Sequence, residues 1–131
     1  MVSASFLSSA DPLSSASDSA KPSWQTLRMT FANFGTLGTV AGRRDELVAL
    51  LTRPSDDLAE IGCLLYEVGV SDDAPDTVFV AELWQSAEAH RASLDLPSVR
   101  AAIAEARPLL SGVMGGQRFE VVGSPLRAAA S

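Results

Sequence analysis

The chain has 131 residues, of which 47% are hydrophobic, so it is long enough for one domain with a substantial core and too short for two domains of ordinary size. Ten basic and sixteen acidic residues give a formal net charge of −6, and Lys21 is the single lysine. This negative balance, without a basic cluster, excludes a typical nucleic-acid partner, because nucleic acids are held mainly through their phosphates.

Cysteine and histidine each occur once, as Cys63 and His90. A single cysteine cannot form a disulfide within the chain, and the two residues do not make a ligand cluster for zinc, so no metal is predicted. Sparse cysteine fits the reducing cytoplasm. No apolar run approaches the roughly 18 residues that cross a bilayer. The N-terminus also lacks the basic start and apolar middle of a secretory signal, so neither a membrane nor secretion is expected.

Composition divides the chain into three parts. Residues 1–26 are rich in Ser and Ala and have no strand or helix period, so they cannot bury enough apolar surface to offset the entropy of ordering them. We expect a flexible N-terminal tail over 1–26, a folded domain over 27–123 and an unstructured C-terminal tail over 124–131.

The domain begins with a strand and a helix. Residues 29–42, MTFANFGTLGTVAG, alternate in a way that predicts a strand. Gly35 and Gly38 lie inside it, and glycines in a strand often mark a bulge or a close approach of another backbone or a ligand. Residues 43–53, RRDELVALLTR, place four apolar side chains on one stripe, which predicts a helix that Pro54 terminates.

A hairpin and a second helical region follow. CLLYEVGV, residues 63–70, and TVFVAELW, residues 77–84, both alternate, and the Asp- and Pro-rich turn between them has hairpin length, so the strands are predicted to pair antiparallel. Ser86 is the predicted N-cap of a helix. Pro97 lies near the start of another helical stretch that continues to Leu110. The last predicted elements are a turn over 111–116, SGVMGG, and a strand over 117–123, QRFEVVG.

The order strand, helix, strand, strand, helix, strand is the split βαβ pattern of a ferredoxin-like α+β domain. Both helices then lie on one face of an antiparallel sheet. The other face still carries apolar side chains, such as Val78 and Val80 or their neighbours, and an exposed apolar face in a small domain calls for a partner. A second copy packing sheet to sheet supplies one, so a homodimer is expected.

Glu82 and Trp84 are candidate site residues that share a strand face, because side chains alternate along a strand. An apolar cavity disfavours a charged carboxylate, which makes Glu82 a candidate proton acceptor or donor. The alternative is a structural Glu82 that pairs with an arginine such as Arg43, Arg44 or Arg91, or that accepts a hydrogen bond from a loop N–H. The ring of Trp84 can line a pocket with its N–H donating to a ligand, or it can anchor the core where strand meets helix.

The other polar candidates are His90 on a helix and Asn33, Tyr66 and Cys63 on strands. A lone histidine on an amphipathic helix is typical of a solvated or capping side chain. None of the strand residues forms a nucleophile, base and orienter pattern with His90, which weighs against hydrolysis. No Gly-rich phosphate loop lies at a strand–helix junction, so no dinucleotide site is predicted.

Four stretches follow one another in the folded part: GTLGTVAGRRDELVALL, GCLLYEV, DTVFVAELWQSAEAHRAS and PSVRAAIAEARPLL. Together they resemble the antibiotic biosynthesis monooxygenase domain, a family that includes cofactor-free quinol and polyketide monooxygenases. The likeness covers nearly all of the folded part, in order and with matching spacing. Its most specific pieces are the G-C-L-x-Y-E-V strand and the E-x-W that precedes a helix.

The resemblance implies a ferredoxin-like subunit of a dimeric α+β barrel, with a pocket between the sheet and the helices. It also implies that a small aromatic, quinol or polyketide-type substrate is oxygenated by O2 without metal, flavin or other cofactor. The substrate's own carbanion reduces oxygen, and the protein supplies deprotonation and a dry cavity. On that mechanism Asn33, Tyr66 and Trp84 bind and orient the ring, and Glu82 or His90 accepts the phenolic proton.

Two positions depart from the haem-degrading members of the superfamily, which have an Asn on the first strand, the Trp, and a His farther along the helix. The Asn position falls at Gly35, with Asn33 two residues earlier on the same face. The His position falls at Ser93, with His90 one turn earlier. Without a ligand at Ser93, haem binding is not expected.

Two other functions fit the same fold. Related domains isomerise or remove small metabolites by proton transfer, for which Glu82 and His90 suffice. The second of these functions is a non-enzymatic ligand-binding or stress-response domain, in which the pocket exists and its polar groups are structural.

Overall fold

The computed structural model describes residues 30–127, which form a four-stranded antiparallel sheet with helices on one face. The strand order is β2-β3-β1-β4, and all neighbouring strands are antiparallel. This is the predicted ferredoxin-like α+β fold. In chain order the elements are β1 Thr30–Thr39, α1 Arg44–Leu51, α2 Asp56–Ile61, β2 Cys63–Ser71, β3 Ala74–Trp84, α3 Ala87–Ser93, α4 Pro97–Ala106, a 3₁₀ turn Arg107–Leu109 and β4 Leu110–Val121.

The predicted tails lie mostly outside this description. Residues 1–26 are not among the described residues. Of the predicted C-terminal tail, residues 124–127 are described and contain no helix or strand. The boundaries of the domain therefore stay predictions.

The C-terminal part of the domain differs from the sequence prediction. Residues 111–116 were predicted as a turn, which is wrong: they belong to β4. The last helix is also shorter than predicted, because α4 ends at Ala106 and a 3₁₀ turn precedes Leu110. Glycines favour turns locally, but residues 114–116 pair with β1, and such tertiary pairing overrides local preference.

Two glycines, Gly35 and Gly116, face each other in the sheet. They are cross-strand partners in β1 and β4. A Cβ atom at Gly116 would lie 2.5 Å from the carbonyl oxygen of Phe34, a backbone atom that cannot move aside cheaply. The close approach expected at Gly35 is therefore the approach of the β4 backbone.

The core lies between the sheet and the helices. In β3 the residues at even positions from Val78 onward are buried, because successive side chains point to opposite faces. Val78 and Val80 therefore lie beneath the helices. Their neighbour Phe79 lies on the uncovered face of the sheet. The helices contribute apolar side chains to this core: Leu47, Leu50 and Leu51 from α1, and Val99, Ala102, Ile103 and Ala106 from α4.

The uncovered face of the sheet is apolar. Phe34, Phe79 and Phe119 are exposed there by 47%, 38% and 45%. The rings of Phe34 and Phe119 meet edge to face with centroids 5.5 Å apart. A shallow depression of about 580 Å³ lies between these side chains and the strands. In the described part of the chain, none of the helices is long and apolar enough to span a membrane.

Helix α3 begins at the predicted cap. The Ser86 hydroxyl accepts a hydrogen bond of 3.0 Å from the Ala89 N–H, and the backbone of Ser86 is extended, as an N-cap requires. Replacing Ser86 by Ala is expected to lower the free energy of unfolding by about 1 kcal/mol, measured by urea denaturation.

Ser55 provides the control for this substitution. It occupies the N-cap position of α2 with extended backbone, but its side chain makes no cap hydrogen bond. Ser55→Ala should therefore change the free energy of unfolding much less than Ser86→Ala. Equal losses in the two variants would show that the hydroxyl of Ser86 does not stabilise α3.

Candidate active site

A row of polar side chains crosses the helix-covered face of the sheet. Strand register places Glu82 of β3 opposite Asn33 of β1 on one side and opposite Tyr66 of β2 on the other. Directly paired residues in an antiparallel sheet point to the same face. Trp84 lies two residues after Glu82 and therefore points to this face as well. The sheet thus brings together four of the five predicted site residues.

Glu82 is fully buried, with 0% of its surface exposed, and its carboxylate accepts hydrogen bonds from two of these neighbours. The indole Nε1–H of Trp84 donates to Oε1 at 3.0 Å. The amide Nδ2–H of Asn33 donates to Oε2 at 3.2 Å. Both carboxylate oxygens are held by N–H donors, which fixes the orientation of the group.

His90 joins this cluster from α3, and it is buried rather than solvated as the sequence pattern indicated, with only 3% exposed. Its Nε2 lies 4.0 Å from Glu82 Oε1, which is too long for a hydrogen bond but within the range of an ion pair when the imidazole is protonated. The imidazole packs against the rings of Phe31 and Trp84, with centroids 5.4 Å away in each case. We name Asn33, Glu82, Trp84 and His90 the buried polar cluster.

The arginines considered as structural partners of Glu82 pair with other carboxylates. Arg43 pairs with Glu46 on the surface of α1. Two further ion pairs join Arg44 to Asp45 at 3.6 Å and Arg91 to Glu88 at 3.8 Å. Glu82 instead lies in the buried polar cluster. Its carboxylate faces neither an open cavity nor one of these arginines.

Ser93, the position predicted to correspond to the histidine of haem-degrading members, has a structural role. It is buried, and its hydroxyl donates a hydrogen bond of 2.6 Å to the carbonyl oxygen of His90, one turn earlier in α3. This bond satisfies a carbonyl group near the end of the helix. Within residues 30–127, no group of three or more His, Cys, Asp and Glu side chains is arranged to hold a metal ion.

A cleft of about 500 Å³ lies beside the cluster, between β2 and the segment that joins α1 to α2. Tyr66 lines the cleft with its ring, and its hydroxyl oxygen is buried. Cys63 lines it as well. Helix α2, which forms one wall of the cleft, was not predicted from the sequence. The run Asp56-Asp57-Leu58 after Pro54 is nevertheless an acidic start typical of a short helix.

The Cys63 thiol is a weaker acid than an ordinary cysteine. Burial, and to a smaller extent the negative charge of Glu82, raises the pKa of Cys63 to about 11. Because Cys63 is the single cysteine of the chain, its alkylation by iodoacetamide can be followed without ambiguity. We expect an alkylation rate at pH 7 about two orders of magnitude below that of an ordinary cysteine, rising until the pH reaches about 11.

The same shift gives a pH dependence of stability. A thiol whose pKa is raised by folding stabilises the folded state fully below the pKa of the unfolded chain, and this contribution is lost as the pH rises through about 11. If the alkylation rate of Cys63 has its midpoint near the ordinary cysteine pKa of about 8.5, the raised pKa of this thiol is contradicted.

The protein is a ferredoxin-like α+β domain whose helix-covered face buries a carboxylate between N–H donors and next to an imidazole. Such an arrangement can take up and release protons away from water.

Comparison with known proteins agrees with this class. The model of the antibiotic biosynthesis monooxygenase family matches residues 31–105, more than half of the chain. The chain belongs to this family. The matched segment contains all of the buried polar cluster. No curated protein is significantly similar to the chain.

Several solved structures are similar. A candidate antibiotic biosynthesis monooxygenase from Chloroflexus aurantiacus J-10-fl is 34% identical with a TM-score of 0.63, covering 77% of this chain and 99% of that one. A second from Deinococcus radiodurans is 27% identical with a TM-score of 0.57, covering 76% and 99%. A third from Caulobacter crescentus CB15, 22% identical with a TM-score of 0.62, covers 73% and 92% and supports the fold alone. Family and neighbours together support a monooxygenase-type fold.

Proposed function

We propose that the protein is a cofactor-independent monooxygenase that oxidises a small phenol, quinol or polyketide-type aromatic with O2. The observation that carries the proposal is the fully buried Glu82 carboxylate, oriented by Asn33 and Trp84 beside His90. A buried and oriented base is the part that the protein must contribute when the substrate itself reduces oxygen.

The reaction begins with transfer of the phenolic proton to Glu82. The resulting anion carries negative charge on ring carbon as well as on oxygen, and this carbon gives electrons to O2 and bonds to it. Loss of water from the hydroperoxide then leaves a quinone. One oxygen atom of O2 enters the product and the other leaves as water, so the four electrons that reduce O2 all come from the substrate.

Each member of the buried polar cluster has a role in this proposal. Glu82 accepts the proton, and Asn33 and Trp84 keep its carboxylate aimed by donating to its two oxygens. His90, which lies at ion-pair distance from Glu82, returns a proton to the leaving oxygen. Tyr66 binds the substrate ring, because it is the member of the polar row that also lines the cleft.

We also propose that the uncovered sheet face pairs with a second copy of the chain, giving a dimeric barrel. Exposed Phe34, Phe79 and Phe119 form an apolar surface with Glu67 beside it, and such a surface is stabilised by burial against its own copy. Sedimentation should give twice the mass of the chain, and Phe79→Glu should yield the monomer. Ala49→Glu, on the exposed side of α1, is the control that should leave the dimer intact. A monomeric wild type would contradict this pairing.

Oxygen uptake with a panel of hydroquinones tests the function. Protein dialysed against a chelator should consume one O2 for each hydroxyquinone formed and release no H2O2. Absence of uptake with every compound would contradict the monooxygenase.

The close approach of Glu82 and His90 favours one second candidate, an isomerase that works by proton transfer. Exchange of deuterium from water into a hydroxyketone without oxygen use would support that candidate. Thermal stabilisation by a ligand without turnover would instead support a binding domain.

A further inference from the structure

Two cross-strand pairs lie side by side on the helix-covered face of the sheet. One pair is polar, with Asn33 of β1 opposite Glu82 of β3. The other is aromatic, with Phe31 of β1 opposite Trp84 of β3. Both rings are buried. The sheet therefore presents a pair of aromatic rings directly beside the Glu82 carboxylate.

The imidazole of His90 contacts both pairs from α3. Its ring centroid lies 5.4 Å from that of Phe31 at an interplanar angle of 39°, and 5.4 Å from that of Trp84 at 73°. Its Nε2 lies 4.0 Å from Oε1 of Glu82. Tilted and edge-to-face contacts with centroids roughly 4.5–7 Å apart are the arrangements that aromatic rings prefer. The two rings therefore favour the orientation in which Nε2 lies next to the carboxylate.

The backbone of His90 is held independently of these rings. Its N–H donates to the carbonyl oxygen of Ser86 at 3.2 Å, and its carbonyl oxygen accepts from the Ser93 hydroxyl at 2.6 Å. These bonds leave the side chain free to rotate about χ1 and χ2, so its rotamer depends on the side chains packed around it. Loss of a neighbouring ring would thus move the imidazole while the helix stays in place.

Phe31 and Trp84 differ in what else they contact. The indole N–H of Trp84 also donates to Oε1 of Glu82, so a change at Trp84 disturbs the carboxylate and the imidazole together. The side chain of Phe31 has no polar atom and cannot hydrogen-bond to Glu82, but its ring packs against the imidazole. A change at Phe31 therefore tests the placement of His90 without removing a donor from the carboxylate.

We propose that Phe31 is a positioning residue of the reaction, whose ring, together with that of Trp84, holds the imidazole of His90 with Nε2 beside Glu82. This inference rests on the proposed function, because it takes His90 as the group that returns a proton to the leaving oxygen. It adds a residue that has no acid or base chemistry of its own and acts through His90.

The placement of the imidazole is measured first, by NMR and without substrate. His90 is the single histidine of the chain, so the carbon-bound protons of its ring can be assigned without ambiguity. In the wild type, the ring currents of Phe31 and Trp84 should displace these signals from their positions in free histidine. Phe31→Leu keeps an apolar side chain and removes one ring, so a large part of this displacement should be lost.

Turnover is measured by oxygen uptake with hydroquinone. Phe31→Leu should lower kcat about tenfold and leave KM nearly unchanged, because the proton donor is displaced and no substrate contact is removed. In a His90→Gln background the same substitution should lower kcat little further, because the group that Phe31 positions is absent.

Ile103→Val is the control for lost packing. Ile103 is a buried core residue of α4, an element that contributes no member of the buried polar cluster. Its trimming should leave the NMR signals of His90 and the kcat unchanged. Circular dichroism checks that each variant folds. If Phe31→Leu does not fold, Phe31→Met replaces it, because the flexible Met side chain fills irregular core space and also removes the ring.

The outcomes separate this inference from the proposed function. Unmoved NMR signals in folded Phe31→Leu, or a loss of kcat that is equally large with and without His90, would overturn the positioning role of Phe31. Displaced signals in Phe31→Leu, together with no oxygen uptake by the wild type, would support the placement of His90 by Phe31 and contradict the monooxygenase.

Discussion

Replacing Glu82 by Gln is expected to lower kcat for quinol oxidation by about two to four orders of magnitude, the usual contribution of a positioned general base. The substitution keeps the shape of the side chain and removes its ability to accept a proton. Turnover is measured by oxygen uptake under saturating substrate.

The variant is expected to fold, because its hydrogen bonds can be rearranged. The introduced amide has one oxygen, which can still accept from the Trp84 indole. Its NH₂ group can donate to Asn33 once the amide of Asn33 turns over and presents its oxygen. Thermal denaturation should show a folded protein, so a loss of turnover can be assigned to the lost base.

Glu60 supplies the matched control for this substitution. It lies exposed on α2, away from the buried polar cluster and the cleft lining. Glu60→Gln makes the same chemical change and should leave kcat unaltered. A Glu82→Gln variant that is folded and turns over like the wild type would remove Glu82 from the mechanism.

Replacing Trp84 by Phe is expected to affect both stability and turnover. Trp84 is fully buried, and the smaller ring leaves a cavity and removes the N–H donor of Glu82. The free energy of unfolding should fall by roughly 1–3 kcal/mol, less than the 3–5 kcal/mol typical of truncating a buried tryptophan to alanine. Urea denaturation measures this loss. The kcat should fall by about tenfold, because the carboxylate is no longer held in one orientation.

The double variant shows how Trp84 acts. If Trp84 works by holding Glu82, adding Trp84→Phe to Glu82→Gln should lower kcat little further, since the base is already absent. Losses that multiply in the double variant would show that Trp84 acts independently, for example through direct contact with the substrate ring.

Local sequence pattern was enough to predict much of the fold. The period-two alternation of β1, β2 and β3 and the start of α3 at Ser86 are local features, and the structure agrees with them. The stretch 111–116 was mispredicted because its three glycines indicate a turn, whereas Gly115 and Gly116 pair with Thr36 and Gly35 of the distant strand β1. Helix α2 was missed because it has six residues, too few for a period to show.

The candidate site was predictable only in part. Alternation along β3 places Glu82 and Trp84 on one face, because the two residues are two positions apart in the strand. The contact between Asn33 and Glu82 depends on the register of β1 against β3, which a sequence without its fold does not contain. The burial of His90 depends on how α3 lies over the rings of Phe31 and Trp84, so the helical pattern alone favoured a solvated side chain. The proposed roles of these residues, the dimer and the cytoplasmic location stay predictions.

The most direct test of the central claim is isotopic. Turnover of a quinol under ¹⁸O₂, stopped before the product exchanges oxygen with water, should give hydroxyquinone with one ¹⁸O atom and water with the other. The same label should be absent from the product formed by Glu82→Gln over the same period. Product that carries no ¹⁸O from the wild type, although the quinol is consumed, would contradict a monooxygenase centred on the buried polar cluster.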